Sequence, residues 1–298
     1  MMHYSMRIVA DITLTIDEKL SSELERPFAD TLKSWLSPMF SGTAHDLSMN
    51  FYALENEQEL RHQTKEIINA SSKTYTLYLP REDYMHLAIA NAAQDEYIGI
   101  EGDGYAASLR LAQHAHDTVP THPIAQFTAR LEMHMSDTSI TEYNVHLYTI
   151  SSAVALIVTQ HPATMPPLDM FVAGMATGFE IRDSVYTYDR NSLIRAERIT
   201  DRCYGAVTLP SRGSKPSAGP MREKQMTEYW SVRVYAHLAD GTTTETILSV
   251  DTPLDAGKIE IIKVQLNDDG SLTPVETTHI GASVTLDWKE GNQYDIDI

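Results

Sequence analysis

The sequence predicts an all-β protein built as two β-sandwich domains in tandem, with a short helical insertion in the first. Three observations predict it. Strand-favouring Thr, Val, Ile and Tyr recur in short runs throughout. Turn signals made of Gly, Pro, Asn and Asp separate those runs at close spacing. The chain has 298 residues, too many for one ordinary sandwich and suited to two domains of about 100–200 residues each. The alternation of strand and helix that marks nucleotide-binding folds is missing. The domains divide near Ser139, into residues 1–139 and 140–298.

The first strand signal lies at residues 7–16. Ile8, Ala10, Ile12, Leu14 and Ile16 share one parity, and Asp11, Thr13 and Thr15 the other, as in a half-buried strand. Residues 19–40 change period. Leu32, Trp35 and Leu36 have helical spacing between Pro27 and Pro38, which predicts a short helix. Strands return at 47–54 and at 74–79, where Tyr75, Leu77 and Leu79 oppose Thr74, Thr76 and Tyr78. Residues 80–83 turn the chain into a strand at 84–92. Gly99, Gly102 and Gly104 mark another turn, ahead of strands at 105–113 and 127–135. Residues 145–159 read as one long apolar strand, 171–182 as a glycine-interrupted one, and 211–220 as a loop.

The last third carries the clearest pattern. Val232, Val234, Ala236 and Leu238 alternate with Ser231, Arg233, Tyr235 and His237. Asp240 and Gly241 follow, and residues 242–250 favour strand again. Asp-Gly between two strand runs predicts a hairpin in which both turn residues take positive φ. Pro253 and Gly257 make the next corner. Ile259 and Ile261 share one parity, but Ile262, Val264 and Leu266 share the other, a slip that predicts a β-bulge near Ile261 and Ile262. Residues 267–270 form a turn, and a final strand carries Val284, Leu286 and Trp288 on one face.

Charge narrows the partners. Lys and Arg number 23 against 41 Asp and Glu, a formal charge of −18. Such a surface repels phosphate backbones and anionic lipid, so neither nucleic acid nor direct membrane adsorption is expected. Cys203 is the one cysteine. It excludes an intrachain disulfide and a multi-cysteine zinc site, and reads as a small buried hydrophobe. No apolar run reaches the ~18 residues of a membrane span. The opening residues 1–6 lack the basic and apolar regions of a signal peptide. That fits a cytosolic protein, or a mature chain whose leader has been removed.

Chemistry is sought and not found. No phosphate-binding loop, nucleophile elbow or HExxH pattern is present. Gly99, Gly102 and Gly104 lack a following Lys-Ser/Thr or helix, and read as a turn. His114, His116 and His122 cluster, with His134 nearby, but no cysteine or carboxylate completes a ligand set, so a solvated loop is preferred to a metal site. Asp268, Asp269, Glu101 and Asp103 sit beside glycines in apparent turns and do not have calcium-loop spacing. The reading assigns no catalytic, cofactor-binding or metal-ligating residue, no cofactor and no enzyme activity.

Three segments near the end carry a resemblance: residues 230–242, residues 251–257, and residues 281–291 with Trp288. They are similar to the closing region of Bacteroides-type fimbrial proteins, in particular the anchor and minor-subunit family of type V pili. Residues 75–80 followed by 84–91 resemble that family's N-terminal domain. The resemblance implies two transthyretin-like, or more broadly Ig-like, β-sandwich domains. It also implies export, outer-membrane attachment through lipid on an N-terminal cysteine, and a role in fimbrial assembly, attachment and cell adhesion. The chain departs on one point, since no cysteine lies near its start. The expected explanation is that the leader and the lipidated cysteine have been removed, leaving that lipid as the only route to a membrane.

The resemblance implies other fimbrial subunits as partners, joined by β-strand exchange or edge pairing. In the family a strand is freed by proteolysis after a basic residue. Arg7 stands before an alternating run and is compatible with such processing, although an ordinary exposed arginine is the preferred reading. At the other end Tyr294, Ile296 and Ile298 alternate with Asp295 and Asp297. They either finish a sheet, the preferred reading, or donate a strand. A rival function is that of a surface glycan-binding lipoprotein in an outer-membrane nutrient-uptake system, using some of the 15 tyrosines.

Overall fold

The best alternating run near the N-terminus does not form the strand it predicts. In the computed structural model, β1 (Met2–Ile8) ends where that strand should begin, and α1 (Asp11–Glu23) follows. Ile12, Ile16 and Leu20 explain the misreading, because residues four apart share a face of a strand and also a face of a helix. Leu20 is fully buried, so continuing the helix past Asp17 and Glu18 carries an apolar residue into the core. α2 (Arg26–Met39) is also longer than expected. Pro27 lies in its first turn, where a missing N–H costs no bond, and Ala29, Leu32 and Leu36 are its buried stripe. The short helical insertion is therefore a helical pair.

The structure describes residues 2–8, 11–40, 44–56, 59–68, 72–77, 79–101, 108–111, 118–134, 142–188, 193–213, 229–275 and 280–288. After the helices come β2 (Ala44–Ala53), β3 (Leu60–Ile68), β4 (Ser72–Leu77) and β5 (Asp83–Ala90). β6 (Ile98–Glu101), β7 (Ser108–Leu111), β8 (Thr118–Pro120) and β9 (Phe127–His134) follow. The long strand expected at 145–159 is two strands, β10 (Glu142–Thr149) and β11 (Ser152–Gln160). Between them Gln126 replaces the ladder: its carbonyl accepts from the Ile150 amide at 2.9 Å, and its side-chain oxygen accepts from the Ser151 hydroxyl at 2.9 Å. The chain changes sheets at that knot. β12 (Leu168–Ala173), β13 (Gly178–Glu180), β14 (Val185–Thr187), β15 (Leu193–Arg195), β16 (Glu197–Thr200) and β17 (Cys203–Thr208) come next. β18 (Trp230–His237), β19 (Thr243–Val250), β20 (Ile259–Leu266), β21 (Leu272–Pro274) and β22 (Ile280–Trp288) complete the order.

The described residues are mostly strand, in four sheets, in agreement with the all-β expectation. The seven-stranded sheet runs β3-β2-β5-β9-β10-β1-β4, and the five-stranded one β16-β17-β11-β20-β21. The six-stranded sheet runs β22-β19-β18-β12-β15-β8, and the four-stranded one β14-β13-β7-β6. Strands from both sides of Ser139 share sheets: β10 lies beside β9 and β1, β8 beside β15, and β7 beside β13. No described helix is long and apolar enough to cross a membrane.

The layers follow from which parity each strand buries. In the five-stranded sheet, Ala153, Ala155, Ile157, Cys203, Val207, Ile259 and Ile261 pack with the helices and the inner face of the seven-stranded sheet. Val154, Leu156, Val158, Tyr204, Ala206, Ile262, Val264 and Leu266 pack on the six-stranded sheet. Both faces of this central sheet are thus dry. The expected bulge at Ile261 and Ile262 is absent for that reason: Ala155 pairs Ile261 and Leu156 pairs Ile262 without interruption. What reads as a slip of parity is a strand burying both sides; the one shift of register comes later, where Val158 and Gln160 of β11 pair with Val264 and Gln265. Lys19 ties α1 to this sheet, donating from Nζ to the Ile259 carbonyl at 2.6 Å. On its far face the seven-stranded sheet carries the four-stranded one, through Met85, Leu87 and Ile89 against Phe179, Ile181 and Tyr186.

The Asp240-Gly241 hairpin forms, with a different turn. Gly241 has φ +87 and Asp240 is not among the residues with positive φ. Leu238 and Thr242 close a three-residue loop, the Leu238 amide donating to the Thr242 carbonyl at 2.8 Å. The Asp240 carboxylate accepts from the Thr242 amide and hydroxyl, at 2.9 and 2.6 Å. That satisfies Asp240 without a positive φ and leaves the left-handed position to glycine.

Candidate functional site

Sheet edges are where a β protein meets other chains, and the two longest here differ in kind. β3 and β22 each have nine residues and each ends a sheet. β3 carries Arg61, Lys65 and Glu66, charges of the sort that guard an edge against further pairing. β22 has no charge from Ile280 to Leu286. It pairs antiparallel with β19, Val250 opposite Ile280, Leu248 opposite Ala282 and Thr246 opposite Val284.

Those partners decide where β22 points. Leu248 and Val250 are buried against the five-stranded sheet, and Ile280 packs at the rim of the same core. Val284, two rungs further, shares that inward side yet is 44% exposed, and Leu286 is 53% exposed. β21, three residues long, lies against β22, and its hairpin is also tied to β19: the Thr246 hydroxyl accepts from the Leu272 amide at 3.0 Å, and Thr244 donates to the Asp269 carbonyl at 2.6 Å. The result is an uncharged edge with two bare apolar residues beside a short sheet, a place where an added strand gains both backbone bonds and apolar cover.

A second concavity sits at one end of the seven-stranded sheet. The β2–β3 and β4–β5 connections enclose a cleft of about 610 Å³ lined by Ala53, Leu54, Glu55, Asn56, Glu59, Arg61, Arg81, Glu82 and Asp83. Most of its charges are locked. Arg61 is paired with Glu59 and, through Nε, with Glu82 at 3.2 Å. Asp83 meets His134 at 3.1 Å, and the Leu54 amide donates to the Asp83 carbonyl at 2.8 Å. The Tyr84 hydroxyl lies 2.8 Å from the Pro80 carbonyl and 3.2 Å from Glu82. Burial and the Glu82 charge push that phenol far above its ordinary range.

The residues singled out from the sequence separate. His114, His116, Gly102, Gly104, Asp103 and residues 294–298 lie outside the described residues. His122 is fully buried near Asp95 and Gln126, and its pKa is lowered mainly by burial. His134 sits on the surface with Asp83. Among the described residues no group of three His, Cys, Asp or Glu could hold a metal. Gly99 is a strand residue of β6, opposite Arg110 of β7. Asp269 accepts from the Ser271 hydroxyl and amide at 2.6 and 2.9 Å, which holds its carboxyl below the usual range in a turn role. Cys203 is buried, and burial pushes its thiol up to about 12, so it is no nucleophile at neutral pH. Arg7 lies inside β1, opposite His146 and Ser72, in the interior of the seven-stranded sheet.

One array escaped the sequence reading. His237 faces Thr243 across the hairpin at 3.1 Å and Asp169 at 3.0 Å, while Arg195 holds the other Asp169 oxygen at 2.9 Å. Burial would raise Asp169, but the bonds from Arg195 and His237 keep it below the usual carboxylate range. The set is a cross-strand polar ladder on four neighbouring strands, β19, β18, β12 and β15. Only the strand register brings it together, so spacing in the sequence gives no sign of it.

No protein-family model matches this chain. No curated protein matches it either. Solved structures do. A candidate polysaccharide-binding protein from Bacteroides thetaiotaomicron aligns over 94% of this chain and 100% of its own, at TM-score 0.57 and 9% identity. A candidate adhesin from Bacteroides ovatus aligns over 95% of each chain, at TM-score 0.54 and 10% identity. The chain shares their fold. A fimbrial anchor protein from Porphyromonas gingivalis aligns more loosely, at TM-score 0.46 and 12% identity, over 83% of this chain and 91% of its own.

Proposed function

We propose that this chain is a structural subunit of a bacterial surface fimbria or adhesin, and that it joins other subunits by strand pairing at β22. The observation that carries the reading is the edge itself: nine residues long, uncharged from Ile280 to Leu286, with Val284 and Leu286 bare beside a short covering sheet. It occurs in a fold shared with a candidate adhesin. The reading is supported by the resemblance of the closing segments to fimbrial minor and anchoring subunits. Its finer parts are a pair of transthyretin-like sandwiches in tandem, a structural role without catalysis, and an outer-membrane position held by lipid on a cysteine upstream of these residues.

Two experiments test it. Deleting the gene is expected to change the length of the fimbriae or their retention on the cell; unchanged fimbriae would overturn the reading. Mass spectrometry of the native N-terminus tests the anchor: a diacylated cysteine supports it, and an unmodified N-terminus removes it.

A further inference from the structure

We infer that β22 also pairs with β22 of a second copy of this chain, antiparallel about a two-fold axis at Ser283, an inference that rests on the edge proposed above and names a partner for it. The uncharged run is Ile280 to Leu286, and Ser283 is its middle. Antiparallel pairing about that residue sets Ser283 opposite its own mate, Ala282 opposite Val284, Gly281 opposite Thr285 and Ile280 opposite Leu286. Every apolar residue of the inward side then meets another. Leu286 and Val284 are the bare ones. Leu286 gains Ile280, which already packs at the rim of the core, and Val284 gains Ala282. The other face brings together only Gly, Ser and Thr. The two-fold stands perpendicular to the sheet, so the inward sides of both copies stay on one side and the two six-stranded sheets become continuous.

The occupant follows from what the edge requires, an uncharged run of similar length with its apolar residues on one side. Among the described residues, β3 carries Arg61, Lys65 and Glu66, and β4 carries Lys73. The other strands that end a sheet, β6, β8, β14, β16 and β21, have three or four residues each. Of these edges β22 alone meets the requirement, and a second copy supplies it. An isologous contact closes at two and leaves neither β22 edge free, which protects an uncharged edge from open-ended aggregation. The run is far shorter than the roughly 20–30 residues a side of a stable interface, so the pair is reversible and yields the edge to another subunit. Each copy carries a formal charge of −18, so salt strengthens the pair by screening the repulsion between copies.

The test uses the whole chain. Sedimentation over a concentration series is expected to show a reversible monomer–dimer equilibrium whose dimer fraction rises with salt. Ser283→Lys puts like charges face to face at the axis and should weaken the dimer about tenfold or more, with the melting temperature unchanged because Ser283 is exposed. Cysteine variants read the register, since Cys203, the one native cysteine, is buried. Opposed residues at the axis stand about 4.5–5.5 Å apart between Cα atoms, within disulfide reach. Ser283→Cys is therefore expected to give disulfide-linked dimers with oxidised glutathione. Thr285→Cys is not, because its mate lies four residues along the strand, about 13 Å away. A chain that stays monomeric at every concentration overturns the inference. So does equal linking from 283 and 285, or a dimer that salt dissociates. Subunit adducts from β22 in cells are scored separately. Adducts to a different subunit without a dimer of the purified chain remove the self-pairing and leave the assembly reading standing; a dimer without such adducts keeps the self-pairing and removes the assembly reading.

Discussion

The indole of Trp35 lies so close over Gly205 that a Cβ on residue 205 would stand 2.5 Å from its Cη2. The ring is fixed, because its Nε1–H donates to Glu197 at 2.9 Å. α2 therefore seats on β17 only where the strand has no side chain. Gly205→Ala should cost about 1–3 kcal/mol by overpacking, measured by urea denaturation. Adding Trp35→Ala should recover part of that loss in a double-mutant cycle. Additive effects would mean that ring and glycine do not meet.

The dry central sheet gives a second prediction. Leu156 is fully buried between the five- and six-stranded sheets, so Leu156→Ala should cost about 2–5 kcal/mol. Val284→Ala, on the exposed edge, should change stability by less than about 0.5 kcal/mol. Because Ala155 and Ile157 bury the opposite side of the same strand against the helices, calorimetry should give a single transition. Two well-separated transitions would show that the layers fold apart.

Two buried histidines predict acid sensitivity. His86 is fully buried, stacked on Phe51 at 4.3 Å, and its Nδ1–H donates to the Asn50 carbonyl at 3.1 Å. Burial pulls its pKa down to about 3, against a weaker opposing effect of that bond. His122 is shifted the same way. The unfolded chain then binds more protons than the folded one below pH ~6.5. For His86, stability should be full above that pH and fall as pH drops toward 3, by up to about 1.4 kcal/mol per pH unit, and His122 adds to the fall in the same direction. His86→Phe should flatten the slope of denaturation midpoint against pH between 6 and 4. An unchanged slope would contradict the assignment.

How much of this was legible in the sequence depends on what each segment buries. β18 and β22 were readable because apolar and polar residues alternate along them, and β19 because a strand-favouring run follows Asp240 and Gly241. β3 was not, because an edge strand with Arg61, Lys65 and Glu66 has little apolar face to alternate. β20 was misread as bulged, since alternation presumes one wet face and this strand has none. α1 was misread because Ile12, Ile16 and Leu20 satisfy both periods. The uncharged run of β22 stands in the sequence, but the exposure of Val284 and Leu286 is set by the fold. The cleft residues belong to two turns separated in the chain, and only the pairing of β2 with β5 brings them together.

The edge proposed for assembly can be altered without touching the core. Val284→Lys and Leu286→Lys together should leave the melting temperature within a few degrees of wild type, since both side chains are exposed. They should reduce incorporation into fimbriae, read by immunoblot of sheared fimbrial fractions. Full incorporation of the double variant would point to another edge.

The most direct measurement is photo-crosslinking from β22 in living cells. A photoreactive amino acid is placed at position 284 or 286, with a control at exposed Ser37 on α2. Pairing at this edge predicts covalent adducts to another fimbrial subunit from 284 or 286 and none from 37. A chain that co-purifies with fimbriae yet gives no adduct from either β22 position would contradict it.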